Sequence, residues 1–151
     1  MQATIVMEPA TRLIGLELED DRVESIGPLW ERFNERMGEV AGNEPGFAYG
    51  VCRGMPGHPD FAYLCGVRAA PDAPIPPGMK SWDLPAQKYA VFLHRGYYRD
   101  IGDTFGHIFN GGLAQNHLTP VPGIGYERYE FARCPNPDGP HTEVDLYVPV
   151  A

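Results

Sequence analysis

The first 40 residues change from a strand-like to a helical pattern of apolar positions. Residues 2–7 and 12–18 contain β-branched and aliphatic runs separated by Pro9, which predicts two strands or one long bent strand. A helix is predicted next, because apolar residues recur at intervals of three and four along one stripe: Val23, Ile26, Leu29, Trp30, Phe33 and Met37. Gly38 and Gly42 mark its end.

The segment that follows has the composition of a β-hairpin. Residues 47–53 (FAYGVCR) and 61–69 (FAYLCGVRA) are short aromatic and β-branched runs joined by the turn-rich sequence GMPGHPD. Residues 70–78 then hold four prolines in nine positions, which excludes both a helix and a central strand. We therefore interpret residues 70–78 as a linker.

The same order of elements recurs after the linker. Residues 87–96 predict a strand, and residues 98–114 predict a helix with an apolar stripe formed by Ile101, Phe105, Ile108, Phe109 and Leu113. Residues 125–133 and 143–150 predict a second hairpin around the turn-rich sequence PNPDGP. Strand, helix and hairpin thus occur twice at a spacing of roughly 77 residues, with GFAYGV (46–51) lying over GIGYER (123–128).

These patterns predict one α+β domain over residues 1–151, with half-repeats at about 1–70 and 79–151. The predicted fold is a duplicated strand-helix-strand-strand module with an antiparallel sheet and two main helices. We expect the halves to pair about a pseudo-two-fold axis. A ligand cleft is expected where they meet, because such junctions are common binding places.

The chain is acidic, with 12 basic and 20 acidic residues and a formal charge of −8. It has no cluster of Lys and Arg to neutralise phosphates, so direct binding of nucleic acid is not expected. An acidic surface raises the local concentration of organic cations. The same charge also simply keeps a small domain soluble, and both interpretations stay open.

Cysteine usage and the N-terminal sequence indicate the compartment. Cys52, Cys65 and Cys134 form no CxxC pair, which is typical of a reducing compartment, and we expect no disulfide. The N-terminus has no secretion signal, and no apolar run approaches the 18 or more residues of a membrane span. We therefore expect a cytoplasmic protein that does not associate with membranes.

Motifs for metal binding and nucleophilic catalysis are missing from the sequence. The five histidines show no HxxxH, HExxH or matched Cys/His spacing, so neither a metal nor another cofactor is expected. The two serines, Ser25 and Ser81, lie outside any GxSxG elbow, which excludes serine-hydrolase chemistry.

The candidate chemistry lies in the segment GYERYEF. Alternation along a strand divides it into two faces, one with Glu127, Tyr129 and Phe131 and the other with Tyr126, Arg128 and Glu130. Glu127 thus stands among aromatic rings without a basic neighbour, whereas Arg128 and Glu130 can pair. Such a carboxylate has a distant partner, a raised pKa or a cationic ligand, unless the two faces are mixed and it is solvated.

Aromatic residues are abundant, with eight Tyr, seven Phe and two Trp. Their rings attract cations and stack on flat ligands, although most are expected in the core or on the surface. Trp30 lies on the apolar stripe of the first helix, so packing in the core is the leading interpretation of this residue.

Several segments follow one another in a distinctive order: LWERF (29–33), FAYGVC (47–52), Gly66, the proline linker into PPGMKSWDLPAQKYAVFLHRG (76–96), GYERYE (125–130) and EVDLYVPV (143–150). Together they resemble the gyrase-inhibitor-like effector-binding domains, which include the ligand-binding domains of AraC- and MerR-type multidrug regulators. The resemblance covers nearly the whole chain. It implies a duplicated strand-helix-strand-strand module with a ligand cleft between the halves.

The resemblance also implies a site. In drug-binding members, a glutamate on the first strand of the second hairpin meets cationic aromatic ligands among tyrosines, and the matching residue here is Glu127. Because the resemblance takes up nearly all of the 151 residues, we expect no helix-turn-helix beside the module, and the chain resembles the stand-alone members. Some of these bind small molecules or partner proteins, and a subset hydrolyses cyclopropane-bearing toxins.

The resulting hypothesis is a binding protein for amphipathic, cationic or aromatic small molecules. Glu127 is the predicted charge partner, and the predicted walls of the site are Tyr49, Tyr129, Trp30, Tyr98, Phe105 and Tyr147. Two alternatives remain. One is a hydrolase that uses Glu127 as acid and base, and the other is a protein-interaction module such as a topoisomerase modulator. The sequence leaves the ligand, turnover and oligomeric state open.

Overall fold

A computed structural model describes residues 1–20, 22–54, 59–135 and 138–151. The strands are β1 Thr4–Glu8, β2 Thr11–Glu17, β3 Phe47–Arg53, β4 Ala62–Ala69, β5 Lys80–Leu84, β6 Gln87–Arg95, β7 Gly125–Glu130 and β8 Glu143–Pro149. The helices are α1 Ile26–Arg36, α2 Ile101–His107 and the short α3 Leu113–Gln115, with a π-helical segment, Ile108–Gly112, between the last two. Single 3₁₀ turns span Val23–Ser25, Met37–Glu39, Tyr98–Asp100 and Phe131–Arg133.

The strands form one curled antiparallel sheet in the order β1-β6-β8-β7-β3-β4-β2-β5. Its centre is the pair β7–β3. From this pair the strands of the two halves run outward in the same order, β3-β4-β2 on one side and β7-β8-β6 on the other. The predicted α+β fold with a repeated β-α-β-β order, an antiparallel sheet and two main helices is therefore confirmed.

The two edge strands are exchanged between the halves. β1 precedes β2 in the chain but pairs with β6, and β5 precedes β6 but pairs with β2. In both places the chain crosses over through a Pro-Ala dipeptide, at residues 9–10 and 85–86. Proline suits this crossing because it has no backbone N–H to contribute to a ladder.

Two details of the predicted strands were wrong. The segment after the 70–78 linker contains the strand β5, which was not predicted, and the strand predicted over 125–133 ends at Glu130. The chain then turns through Phe131–Arg133, and Phe131 is exposed instead of sharing the face of Glu127. The predicted turns fall partly on residues 55–58 and 136–137, which lie outside the described residues.

Both helices pack on the same face of the sheet. Leu29 and Phe33 of α1 are buried against Ile14 of β2 and Val67 of β4. In the other half, Ile101, Ile108 and Leu113 of the helical segment are buried against Phe92 of β6 and Leu146 of β8. Removal of this apolar surface from water is the main stabilising contribution of both helices.

The opposite, concave face of the sheet carries a third buried cluster, which is rich in tyrosine. Its members are Leu13, Tyr49, Val51, Leu64, Trp82, Leu84, Tyr89, Tyr126 and Tyr147. Strands whose two faces are both buried explain why apolar residues are consecutive, as at Leu13 and Ile14 on β2. Within the described ranges, no helix is both long and apolar enough to cross a membrane.

Candidate functional site

The site is built on β7, at the centre of the sheet. Tyr126 points into the tyrosine-rich cluster and is buried, whereas Glu127 and Tyr129 lie on the face that carries the helices and are partly exposed. The alternation of β7 thus places Glu127 and Tyr129 on one face. Glu127 stands opposite Gly50 of β3, at the junction of the two halves.

Two tyrosine hydroxyls donate hydrogen bonds to the same oxygen of Glu127. The Tyr129 hydroxyl lies 2.6 Å from Oε1, and the Tyr63 hydroxyl of β4 lies 3.3 Å from it. The Trp30 Nε1–H donates to the Tyr63 oxygen at 3.0 Å. Because the indole can only donate, the Tyr63 oxygen accepts this bond and its own proton is left for Glu127.

The absence of a side chain at Gly50 makes room for this arrangement. Tyr63 reaches Glu127 across β3, over the position of Gly50. A Cβ atom on Gly50 would lie 2.3 Å from the Tyr63 hydroxyl oxygen and 2.7 Å from Glu127 Oε1. A larger residue would therefore push these two groups apart.

Aromatic rings from both halves surround the carboxylate. Trp30 of α1 packs edge-on against Tyr129 with ring centroids 5.1 Å apart, and Tyr98, just before α2, does so at 5.7 Å. Phe105 of α2 packs against the same buried cluster as Tyr129. Surface depressions lie elsewhere, beside Gln115 and beside Arg32, and neither includes Glu127. A bulky ligand that approaches the carboxylate on this face meets the rings of Trp30, Tyr98 and Tyr129.

No basic side chain among the described residues pairs with the carboxylate of Glu127. Among the described residues, no Lys or Arg nitrogen lies within 4 Å of its carboxylate, and Oε2 accepts no hydrogen bond. Burial raises the pKa of Glu127 to about 7, while the bonds from Tyr129 and Tyr63 favour the ionised form and oppose that rise. The carboxyl group is thus poised to change charge near neutral pH.

The neighbouring hydroxyls and thiols stay protonated. Burial, followed by the charge of Glu127, raises the pKa of both Tyr63 and Tyr129 well above the ordinary value, so both act as donors. The same two causes raise the pKa of Cys52 to about 11, and the pKa of Cys65 also rises. A neutral thiol is a poor nucleophile, so cysteine chemistry is not favoured here.

The structure places four of the predicted wall residues on the same face of the sheet as Glu127 and two on the opposite face. Trp30, Tyr129, Tyr98 and Phe105 lie on the helix-bearing face, as described above. Tyr49 and Tyr147 lie on the concave face. The Tyr49 hydroxyl donates to Glu44 at 2.6 Å, and the Tyr147 ring stacks on Tyr126 with centroids 4.4 Å apart.

The predicted pair of Arg128 and Glu130 was also wrong. Arg128 pairs with Asp145 of β8 at 3.4 Å and lies over the Phe47 ring, whereas Glu130 pairs with Arg133 at 2.6 Å. Neither pair contacts the carboxylate of Glu127.

Sequence reasoning missed Tyr63 and Gly50. Both lie in the first hairpin, and the strand alternation places Tyr63 and Cys65 on one face, with Gly50 opposite Cys65. Only the pairing of β3 with β7 brings this face to Glu127. For metal binding, the described residues contain no group of three or more His, Cys, Asp or Glu placed to hold an ion.

Comparison with known protein families gives one match over the whole chain. The model of the GyrI-like small molecule binding domain matches residues 1–151. The transcriptional regulator BrlR of Pseudomonas aeruginosa is 39% identical over 152 residues, a match that covers 99% of this chain. The chain spans 56% of the length of BrlR.

Solved structures share the fold at low sequence identity. The structure of SAV2435 bound to tetraphenylphosphonium has a TM-score of 0.70 and 14% identity, and the match covers 100% of this chain and 94% of that one. The C-terminal domain of EcmrR has a TM-score of 0.75 and 12% identity, with coverages of 99% and 97%.

Proposed function

Because the chain belongs to the GyrI-like family of small-molecule-binding domains, we propose that it binds amphipathic, aromatic organic cations at Glu127. One observation carries the proposal. A partly exposed carboxylate stands among aromatic rings at the junction of the halves, and its only hydrogen-bond partners among the described residues are the neutral hydroxyls of Tyr63 and Tyr129.

The chemistry of this arrangement suits a cation better than an anion or a neutral compound. A carboxylate that is partly withdrawn from water gains more from an opposite charge beside it than a fully solvated one does, because its surroundings screen that charge less. The faces of Trp30, Tyr98 and Tyr129 add cation–π attraction and apolar contact with flat rings. SAV2435, which shares the fold, binds the aromatic cation tetraphenylphosphonium, and this supports the same ligand class here.

Calorimetry with tetraphenylphosphonium tests the proposal at pH 8, where Glu127 is ionised. Tetraphenylborate is the matched control ligand, since it has the same shape and the opposite charge. We expect Glu127→Gln to weaken binding of tetraphenylphosphonium by about 10- to 150-fold, the worth of one charge-assisted contact. Binding of tetraphenylborate should stay equally weak or improve.

Glu130→Gln is the matched control variant, because Glu130 lies on the same strand, three residues further on, and pairs with Arg133. It should bind tetraphenylphosphonium like the wild type. Equal losses for Glu127→Gln and Glu130→Gln, or preference of the wild-type protein for tetraphenylborate, would contradict the proposal.

A second candidate function uses the same carboxylate in catalysis. A carboxyl group with a pKa of about 7 exchanges protons readily at neutral pH, and the short bond from Tyr129 fixes its orientation. Glu127 would accept a proton from a water molecule as the water oxygen bonds to one carbon of a cyclopropane. The C–C bond that breaks passes its electron pair to an electron-withdrawing group of the same compound, which then takes up a proton. Mass spectrometry of a cyclopropane-bearing alkylating compound after incubation tests this. Hydration by the wild type, lost in Glu127→Gln while the compound still binds, would establish hydrolysis.

A further inference from the structure

His94 lies in KYAVFLHRG (88–96), the end of one of the segments that carry the family resemblance. The site described so far does not include this residue. It lies near the end of β6, and only 3% of its surface is exposed. Both ring nitrogens have partners: Nδ1 lies 2.7 Å from the Thr104 hydroxyl oxygen, and Nε2 lies 2.9 Å from the Tyr97 carbonyl oxygen.

These two contacts determine the tautomer of the ring. A carbonyl oxygen can only accept, so Nε2 carries a proton and donates it to Tyr97. In a neutral ring Nδ1 is then an acceptor, and the single proton of the Thr104 hydroxyl goes to it at 2.7 Å in preference to the Asp100 carbonyl oxygen, which lies 3.5 Å away. The ring therefore joins three parts of the chain: the end of β6, the turn at Tyr97 and the α2 residue Thr104.

The turn held by His94 carries one wall of the ligand site. Tyr98 follows directly after the carbonyl that His94 binds, and its ring packs against Tyr129, which donates to Glu127. Gly96 allows the chain to bend back, since its φ of +138° is a conformation that other residues rarely adopt. The Gly96 N–H also donates to the Thr142 carbonyl at 2.8 Å.

We propose that His94 is a positioning residue of the ligand site, whose Nε2–H bond to the Tyr97 carbonyl holds Tyr98 against Tyr129. This inference rests on the proposed function at Glu127. A ligand has to displace or pack against the aromatic walls, so the side chain that anchors the Tyr98 wall sets how well the site fits a bulky aromatic cation. The Thr104 bond orients the ring for this task.

Two substitutions separate the two bonds. In His94→Gln the amide nitrogen replaces Nε2 and keeps the donation to Tyr97, whereas in His94→Asn the amide oxygen replaces Nδ1 and keeps only the bond from Thr104. Both remove the ring, so both lose comparable stability in urea unfolding. We expect the Kd for tetraphenylphosphonium to stay within about twofold of wild type in His94→Gln and to rise about fivefold in His94→Asn, the worth of one neutral hydrogen bond.

Nitrogen NMR of the wild-type protein gives a second measurement that needs no variant. We expect a protonated Nε2 and an unprotonated Nδ1 in the free protein, and a shifted Nε2 signal after addition of tetraphenylphosphonium. A protonated Nδ1 with a bare Nε2, or equal Kd values for the two variants, would overturn the role of His94 while leaving Glu127 as the charge partner. Absence of tetraphenylphosphonium binding by the wild type would overturn both proposals.

Discussion

At the scale of single residues, Glu127 is under two opposing influences. Burial disfavours its charge, whereas the hydroxyls of Tyr63 and Tyr129 stabilise it, and burial has the larger effect on the pKa. This balance leaves an acid that is sensitive to its surroundings, because any cation placed beside it shifts the balance towards the ionised form.

Stability should therefore depend on the ionisation of Glu127. Between the ordinary pKa of 4.5 and the folded value of about 7, the folded chain holds a proton that the unfolded chain has lost, so stability falls as pH rises through this window. Glu127→Gln removes the effect. We expect this variant to be more stable than wild type at pH 8, by up to about 3 kcal/mol, and to lose that advantage near pH 4.5.

Urea unfolding at both pH values measures this difference. Glu130→Gln serves as the control, because Glu130 is paired with Arg133 and should gain no stability at pH 8. If Glu127→Gln gains no stability at pH 8, then Glu127 is solvated and its pKa is ordinary.

The same ionisation should govern the affinity for a permanent cation. Tetraphenylphosphonium carries its charge at every pH, so its binding is expected to strengthen by about tenfold from pH 6 to pH 8, as Glu127 loses its proton, and then to level off. Calorimetry in buffers of different ionisation enthalpy should also detect proton release near pH 6.5. A pH-independent Kd would be inconsistent with Glu127 as the charge partner.

At the scale of elements, the strand β5 shows how a local signal can be masked. The hydrophobic pattern predicts a linker at residues 70–78 and a strand from residue 87 and assigns no element between them, although the Pro-Ala dipeptide at 9–10 recurs at 85–86. In each half this dipeptide separates an exchanged edge strand from the first strand of the module. The segment before the second helix therefore contains one more strand than its hydrophobic pattern predicts.

Strand β2 is held closely between β4 and β5, and Gly15 makes this possible. A Cβ atom at Gly15 would lie 1.7 Å from the Cys65 carbonyl oxygen, so Gly15→Ala should force β2 away from β4 and cost more than about 3 kcal/mol. Beyond its chain neighbours and its own helix, Gly102 in α2 has no atom within 4 Å of such a position, and Gly102→Ala should stabilise the protein by up to about 1 kcal/mol. Thermal unfolding of the pair tests both, and equal Tm changes would argue against close packing at β2.

At the scale of the whole molecule, the exchanged edges and the β3–β7 pair join the two halves. Neither half has its complete complement of strand partners alone, because β1 completes the second half and β5 completes the first. We therefore propose that residues 1–151 form one cooperative domain, in which the repeats are structural units that do not fold independently.

One unfolding transition is the expected consequence. Hydrogen exchange by mass spectrometry along a urea series should show β4 and β8 losing protection at the same midpoint, which should coincide with the loss of far-UV circular dichroism. Separate midpoints for β4 and β8 would instead indicate two independently stable halves.

The sequence by itself determined the features that depend on residues close together in the chain. Helical and strand periodicities are local, so the repeated order of elements could be predicted, and alternation placed Glu127 and Tyr129 on one face because they are two residues apart. The resemblance drawn from ordered segments gave the family and pointed to the same glutamate.

The tertiary structure alone decided what depends on register between distant strands. The β3–β7 register sets Gly50 opposite Glu127 and thereby brings Tyr63 to the carboxylate. In the same register Tyr49 lies opposite Arg128 and on the concave face, although it is one of the predicted walls of the site. A shift of one residue in that pairing would reverse these faces, and no local pattern in either strand specifies it.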